Sequence, residues 1–92
     1  IGPFNFSVIK TPGHKEDAIS FYFKKEKMLF SGDFLFYETV GRCDLPGGSI
    51  EDMQRSIDKI KKYPHDIKVY PGHGISTTLE HEIENNIYFR EE

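Results

Sequence analysis

Two tripeptides in this chain match: Pro12-Gly13-His14 and Pro71-Gly72-His73. Each follows a short run of strand-forming residues, and each sets an imidazole in a Gly/Pro loop. Proline stiffens such a loop and glycine lets another group come close, so the side chain is presented at a strand end where a ligand can reach it. A third polar residue, Asp33 in Ser31-Gly32-Asp33, also stands just past an apolar run. Histidine, aspartate and histidine at three strand ends can meet at one sheet edge, and as a set they suit Zn²⁺ or non-haem iron. Each residue has a plainer reading by itself. A histidine in a turn is more often a surface residue than a ligand, and an aspartate after glycine is commonly a turn former. The echo between the two tripeptides is what favours a shared metal site.

The elements that must position these residues can be read from periodicity. Phe4-Asn5-Phe6-Ser7-Val8 alternates apolar and polar, which predicts a strand with one buried face. "AISFYFK", from Ala18 to Lys24, and Met28 to Ser31 predict a β-hairpin about the polar turn Lys25-Glu26-Lys27. Residues 34–48, with "GRCDLPGG", read as a long loop containing at most one helical turn. Ser49 then caps a helix, with Asp52 in capping-box position. Ile50, Met53, Ile57 and Ile60 recur at helical spacing and predict its buried face. Tyr63-Pro64 stops it. Ile67 to Tyr70 reads as a fourth strand. Thr77 with Glu80 reads as a second capping box, opening a helix that runs to about Phe89 with Leu79 and Ile83 inward. The predicted order is β-ββ-α-β-α: an α/β fold, a small mixed sheet with two helices on one face.

A length of 92 residues allows one domain, which buries about 60–65% of the surface its unfolded chain exposes. Twelve basic against fifteen acidic residues give a net charge of −3 with both signs mixed, which argues against nucleic acid or an anionic membrane as partner. An apolar content of 37% with 14% aromatics suffices for a core and excludes a disordered segment. No run approaches the roughly 20 apolar residues of a membrane span, and the start lacks a signal-peptide layout. Cys43 is the single cysteine, so there is no internal disulfide framework, and a reducing, cytoplasmic setting fits. The chain starts Ile1-Gly2-Pro3 without methionine, so a processed or trimmed piece of a longer protein is expected. His65 and His81 lack ligand spacing and read as surface residues.

"TPGHKEDAISFYF", "LFSGDFLF", "GRCDLPGG" and "VYPGHGISTTLEHE" stand in an order and spacing that resemble the C-terminal half of a metallo-β-lactamase-fold hydrolase, of the glyoxalase II-like branch. The resemblance covers essentially the whole chain. It implies that residues 1–92 are one half of an αββα sandwich. The signature His-x-His-x-Asp-His cluster, which belongs to the N-terminal half, is absent. It further implies His14 as a ligand of the first metal, Asp33 as the bridging catalytic carboxylate, and His73 as a ligand of the second. Two Zn²⁺ are expected in an intact domain, with Fe or Mn as other metals. The implied activity is hydrolysis of thioesters such as S-acylglutathione through a metal-bound hydroxide. Arg42 is a candidate for binding a substrate carboxylate bidentately, against the plainer reading of a salt bridge with Asp44. Tyr37 is a candidate for lining the substrate pocket, or only for filling the core. The sequence departs from the family pattern at Lys15, where threonine is usual, in the Lys15-Glu16-Asp17 run, and at Cys43, where threonine is common. Cys43 reads as a buried small residue or a reactive thiol.

Two alternatives stand beside this reading. A persulfide dioxygenase-like enzyme would hold one iron by two histidines and one carboxylate, keeping His14 and Asp33 but not His73. A non-catalytic fragment or binding module would use none of them. The chain by itself is expected to be inactive. It is also expected to form a homodimer or to stay with the missing N-terminal half. Phe4, Phe6, Val8, Ile19, Phe21, Phe23 and the Leu29/Phe30 strand supply more apolar surface than two helices can cover.

Overall fold

The structure, a computed structural model, describes residues 5–44 and 46–90. Phe4, the first residue of the predicted opening strand, lies outside them. A five-stranded sheet runs in the order β1-β2-β3-β6-β7, formed by Ser7–Lys10, Ile19–Phe23, Met28–Gly32, Lys68–Pro71 and Thr77–Thr78. All neighbours are antiparallel except β3 and β6, which are parallel and joined through the helix α1, Ile50–Ile60. A second helix, α2, spans Leu79–Asn85 and is followed by a 3₁₀ turn at Ile87–Phe89. No helix among the described residues is long and apolar enough to cross a membrane.

Both helices pack on the same sheet face. Ile9, Tyr22, Leu29 and Val69 from the strands form one buried cluster with Met53, Ile57 and Ile60 from α1 and Leu79 from α2. Each such side chain contributes roughly 1.5–3 kcal/mol through burial. Ile50 does not join them: it remains 73% exposed, contrary to the predicted stripe. It is the first residue of α1 and overhangs the end of the core, so periodicity gave its angle about the helix axis but not its height along it. Ser49 caps α1 as expected, accepting from the Asp52 N–H. The capping box is only half formed, because the Ser49 N–H goes instead to the Gly13 carbonyl.

Four boundaries differ from the sequence reading. The opening strand lies further along, at Ser7–Lys10, because Ile9 and Lys10 continue the ladder opposite Ser20 and Ile19. Residues 34–48 are not simply a loop: Leu35–Phe36 (β4) and Thr39–Val40 (β5) form a small hairpin. Its turn uses Glu38 at φ 60°, where glycine or asparagine is the usual signal, so nothing in the sequence announced it. Thr77 is not a helix cap. It pairs with Val69 in β7, and Thr78 caps α2 by accepting from the His81 N–H. The helix also stops at Asn85 rather than near Phe89: Asn86 turns extended and its side chain caps the 3₁₀ turn.

The opposite sheet face carries Val8, Phe21, Phe30 and Tyr70 in one cross-strand row. Phe6 stacks on Phe23, and Phe30 stacks on Tyr70. Phe6, Val8, Ile19, Phe21 and Phe30 are all exposed, so alternation in β1 puts Ile9, not Phe6 or Val8, into the core.

The packing yields a direct contrast. Ile57→Ala is expected to lower stability by about 2–5 kcal/mol, the range for a buried large-to-small change. Ile50→Ala should change it by no more than about 0.5 kcal/mol. Urea unfolding measures both, and equal losses would show that α1 presents a different face to the sheet.

Candidate metal centre

Asp33 owes its place to the end of the parallel pair. Met28, Leu29 and Phe30 stand opposite Lys68, Val69 and Tyr70, and then the register slips so that Gly32 faces Pro71. Gly32 takes φ 54°, a left-handed conformation that a side chain would strain. The chain then turns sharply. Phe34 N–H donates to the Ser31 carbonyl at 2.9 Å, and the Ser31 hydroxyl donates to the Leu35 carbonyl at 2.7 Å. Gly72 N–H donates to the Gly32 carbonyl at 2.9 Å, which fixes the second PGH loop directly beside Asp33. A Cβ at Gly72 would lie 3.3 Å from the Gly32 carbonyl, a tight fit, and 3.4 Å from Asp33 Oδ1, an ordinary contact.

The two histidines reach the same carboxylate from different sides. His14 Nε2 is 3.8 Å from Asp33 Oδ2, and His73 Nε2 is 3.5 Å from Asp33 Oδ1. His14 Nδ1 lies 2.8 Å from the Arg42 carbonyl, which can only accept. Nδ1 therefore carries a hydrogen, and in the neutral ring the lone pair is on Nε2, facing Asp33. The His73 ring stacks on Phe36, with centroids 4.8 Å apart and an interplanar angle of 29°. Side-chain exposure rises from 21% at His14 through 52% at Asp33 to 78% at His73.

These separations exceed an ordinary hydrogen bond. They suit a different occupant: an ion about 2.0–2.2 Å from each donor fits between N and O atoms 3.5–3.8 Å apart. Each imidazole faces its own carboxylate oxygen, His14 towards Oδ2 and His73 towards Oδ1. Among the described residues, no three His, Cys, Asp or Glu side chains surround one common point.

The remaining candidates fall elsewhere. Arg42 donates from Nε and Nη2 to the two Asp44 oxygens, both at 3.1 Å. Those bonds hold the Asp44 carboxyl below its ordinary range and raise the guanidinium. Tyr37 stacks on His81 at 5.1 Å, and the neighbouring Glu38 charge raises its phenol. His81 is partly exposed and paired with Glu38 at 2.8 Å. His65 is exposed and rests against the Lys61 carbonyl. Cys43 is half-buried, and desolvation first, then the Asp44 charge, pushes its thiol upward, which suppresses the reactive thiolate. A cavity of about 410 Å³ opens beside this loop, lined in part by Val40, Ile50, Met53, Ile57 and Tyr88, with Arg42 at its wall and Tyr37 outside it.

Three contributors were not visible in the sequence. Phe36 backs His73, although its only sequence signal was membership of an apolar run. Ser56 and Glu82 are buried and hydrogen-bonded. Glu82 accepts from the Glu38 N–H, the Thr77 hydroxyl and the Asn86 amide, which ties the β4–β5 turn to α2. A glutamate on an amphipathic helix ordinarily reads as solvated.

Comparison with known proteins places this arrangement. The model of the metallo-beta-lactamase superfamily matches residues 1–73. A probable metallo-hydrolase of Streptococcus pyogenes is 44% identical over 87 residues, covering 94% of this chain and 38% of that protein. Hydroxyacylglutathione hydrolase GloC of Haemophilus influenzae is 38% identical over 84 residues, covering 90% and 40%. Among solved structures, the BLEG-1 B3 metallo-beta-lactamase superposes with a TM-score of 0.93 at 43% identity, over 99% of this chain and 44% of that one. TTHA1623, in a di-iron-bound form, gives 0.89 at 38% identity, over 96% and 44%. The chain thus spans less than half the length of these relatives.

The geometry predicts an unusual sensitivity at Gly41. A Cβ there would fall 2.0 Å from the Asp33 carbonyl oxygen and 3.0 Å from His14 Cβ. Gly41→Ala must move the backbone, at about 1–3 kcal/mol, and is expected to break the His14–Arg42 hydrogen bond. Imidazole nitrogen NMR reports that bond, and an unchanged His14 Nδ1–H signal in the variant would contradict the placement.

Proposed function

The chain belongs to the metallo-beta-lactamase superfamily, and from that premise we propose that it forms the C-terminal half of a metal-dependent hydrolase acting on thioesters such as S-acylglutathione. The observation that carries the metal reading is Asp33, with one oxygen facing His14 and the other facing His73. The name of the Haemophilus influenzae relative, hydroxyacylglutathione hydrolase, supports the thioester class.

In this reading Asp33 would help to hold two ions, with His14 serving one and His73 the other. Zn²⁺ suits the donors, and the di-iron form of TTHA1623 favours iron as a second choice. When bound, such ions lower the pKa of water towards neutrality and polarise a carbonyl. The chain's own groups hold the arrangement still. The Arg42 carbonyl fixes the His14 tautomer, so Nε2 keeps its lone pair for the metal side. Phe36 covers one face of His73 and limits both its rotation and the access of water there. The Arg42 guanidinium is already bound by Asp44, so a substrate carboxylate would have to displace that partner. Tyr37, stacked on His81, would reach substrate only from the rim.

A second reading keeps one ion. His73 is far more exposed than His14, and its ring is engaged with Phe36, which favours a mononuclear iron site on His14 and Asp33 of the persulfide dioxygenase kind. Metal content separates the two. Two ions per intact protein, with one lost in His73→Ala, support the hydrolase. One iron retained in His73→Ala, with oxygen uptake, supports the alternative. The 92-residue chain alone is expected to hydrolyse no thioester, because neither ion would have a full ligand set. Turnover by the pure chain, abolished in His73→Ala, would sink that expectation.

The aromatic sheet face is the surface where we place the remaining polypeptide, the chain covering only 38–44% of the four relatives compared. In isolation the same face is expected to pair with a second copy, since monomers rarely leave a large contiguous apolar patch uncovered. Light scattering at micromolar concentration should give a dimer, and Phe21→Ser with Phe30→Ser should give a monomer. A monomeric parent chain would refute the association.

A further inference from the structure

The loop that presents His14 is fastened to α1 at three successive points. Lys59 Nζ donates to the Lys10 carbonyl, the Ser56 hydroxyl to the Pro12 carbonyl and the Ser49 N–H to the Gly13 carbonyl, each at 2.7 Å. Between them Gly13, at φ 149°, lies so close to α1 that a Cβ there would fall 2.7 Å from Met53 Cα. The residues Ser49, Ser56 and Lys59 share one side of the helix by their spacing. Ser56 is the buried member, 1% exposed. A serine inside a helix ordinarily points to solvent or turns back to its own i−4 carbonyl. Here it reaches across 44 positions of sequence instead. Proline has no N–H, so its carbonyl is the only main-chain handle Pro12 offers. The loop around His73 is held differently, through Gly72 N–H to the Gly32 carbonyl in β3.

We propose that Ser56 is a positioning residue for the ion that His14 serves, setting the height and direction of the His14 loop and leaving the His73 side untouched. This rests on the metal reading above. His14 is then fixed twice: by Ser56 through the backbone two residues before it, and by the Arg42 carbonyl through its own ring. Loss of either support leaves the ligand present but misaimed. Outer partners of metal ligands typically matter by 10–100-fold in affinity, and one more bond removed should lie at or below the lower end.

The test uses the intact protein that carries this chain, stripped of metal and titrated with Co²⁺, with absorption reporting each binding step. His14→Ala and His73→Ala first assign the two steps. Ser56→Ala is expected to weaken the His14 step about three- to tenfold and to leave the His73 step unchanged. Ser56→Thr, which keeps the hydroxyl, should restore it. Lys59→Met, at an exposed position, should give a smaller loss in the same step. In the metal-free protein, Ser56→Ala should also weaken the His14 Nδ1–H signal in imidazole nitrogen NMR. Equal weakening of both steps would mean general destabilisation and would overturn the assignment, as would no change in either. If His14→Ala removes no step, the metal reading itself fails, and Ser56 loses its role with it.

Discussion

The parallel pairing of β3 with β6 is the constraint on which the site rests. Among the described residues it is the one parallel contact in the sheet, and it brings together strand ends separated by nearly forty positions in sequence. Parallel strands finish at the same edge, so the residues that follow both strands emerge side by side. The register slip at Gly32 then decides which residues meet. The unbroken register would set Asp33 level with His73, and the slip sets it level with Gly72 instead. Gly32 takes a left-handed conformation at the slip, and Gly72 packs closely on the Gly32 carbonyl. The hydrogen bond from Gly72 N–H to the Gly32 carbonyl closes the junction.

A single segment, Asp33 to Arg42, touches every part of the centre. It supplies the carboxylate, the Phe36 ring against His73 and the carbonyl that holds His14. Its central turn is gripped from below by the buried Glu82, and the Asn86 amide donates to the Thr39 carbonyl. A buried carboxylate is costly unless its oxygens are satisfied. Here the Glu38 N–H, the Thr77 hydroxyl and the Asn86 amide meet them, so one side chain joins hairpin, β7 and α2. The arrangement gives the last helix a role beyond covering the core. It keeps the short β4–β5 hairpin, which has too few ladder bonds to be stable alone, in one conformation.

The sheet is apolar on both faces for two different reasons. One face is covered by α1 and α2 and is closed. The other is a row of aromatic residues in edge-to-face and stacked contact. Those contacts lower the area open to water without removing it. His14, Asp33 and His73 sit past the strand ends, at the edge of the sheet rather than on either face.

The sequence by itself determined the strands that carry clear alternation, the helix between Ser49 and Tyr63, and the three residues most suited to a metal. These follow from local rules: β-branched and aromatic runs, a serine cap, an apolar helical stripe, and histidines confined between proline and glycine. It also carried the family resemblance, because motif order survives without any knowledge of contacts. What it left open was decided by partners distant in the chain. Ile50 matched the stripe but overhangs the core, since exposure depends on where the sheet ends. Thr77 looked like a cap but pairs with Val69, because a strand edge was available there. Glu38 gave no turn signal, and its positive φ is held by Glu82 and His81 from another element. Ser56 resembled any helix serine until Pro12 was brought against it. Local sequence fixes the types and periods of residues. Which donor finds which acceptor is set only when non-local packing puts them within hydrogen-bonding distance, and buried polar groups then hold the pairing because leaving them unpaired is costly.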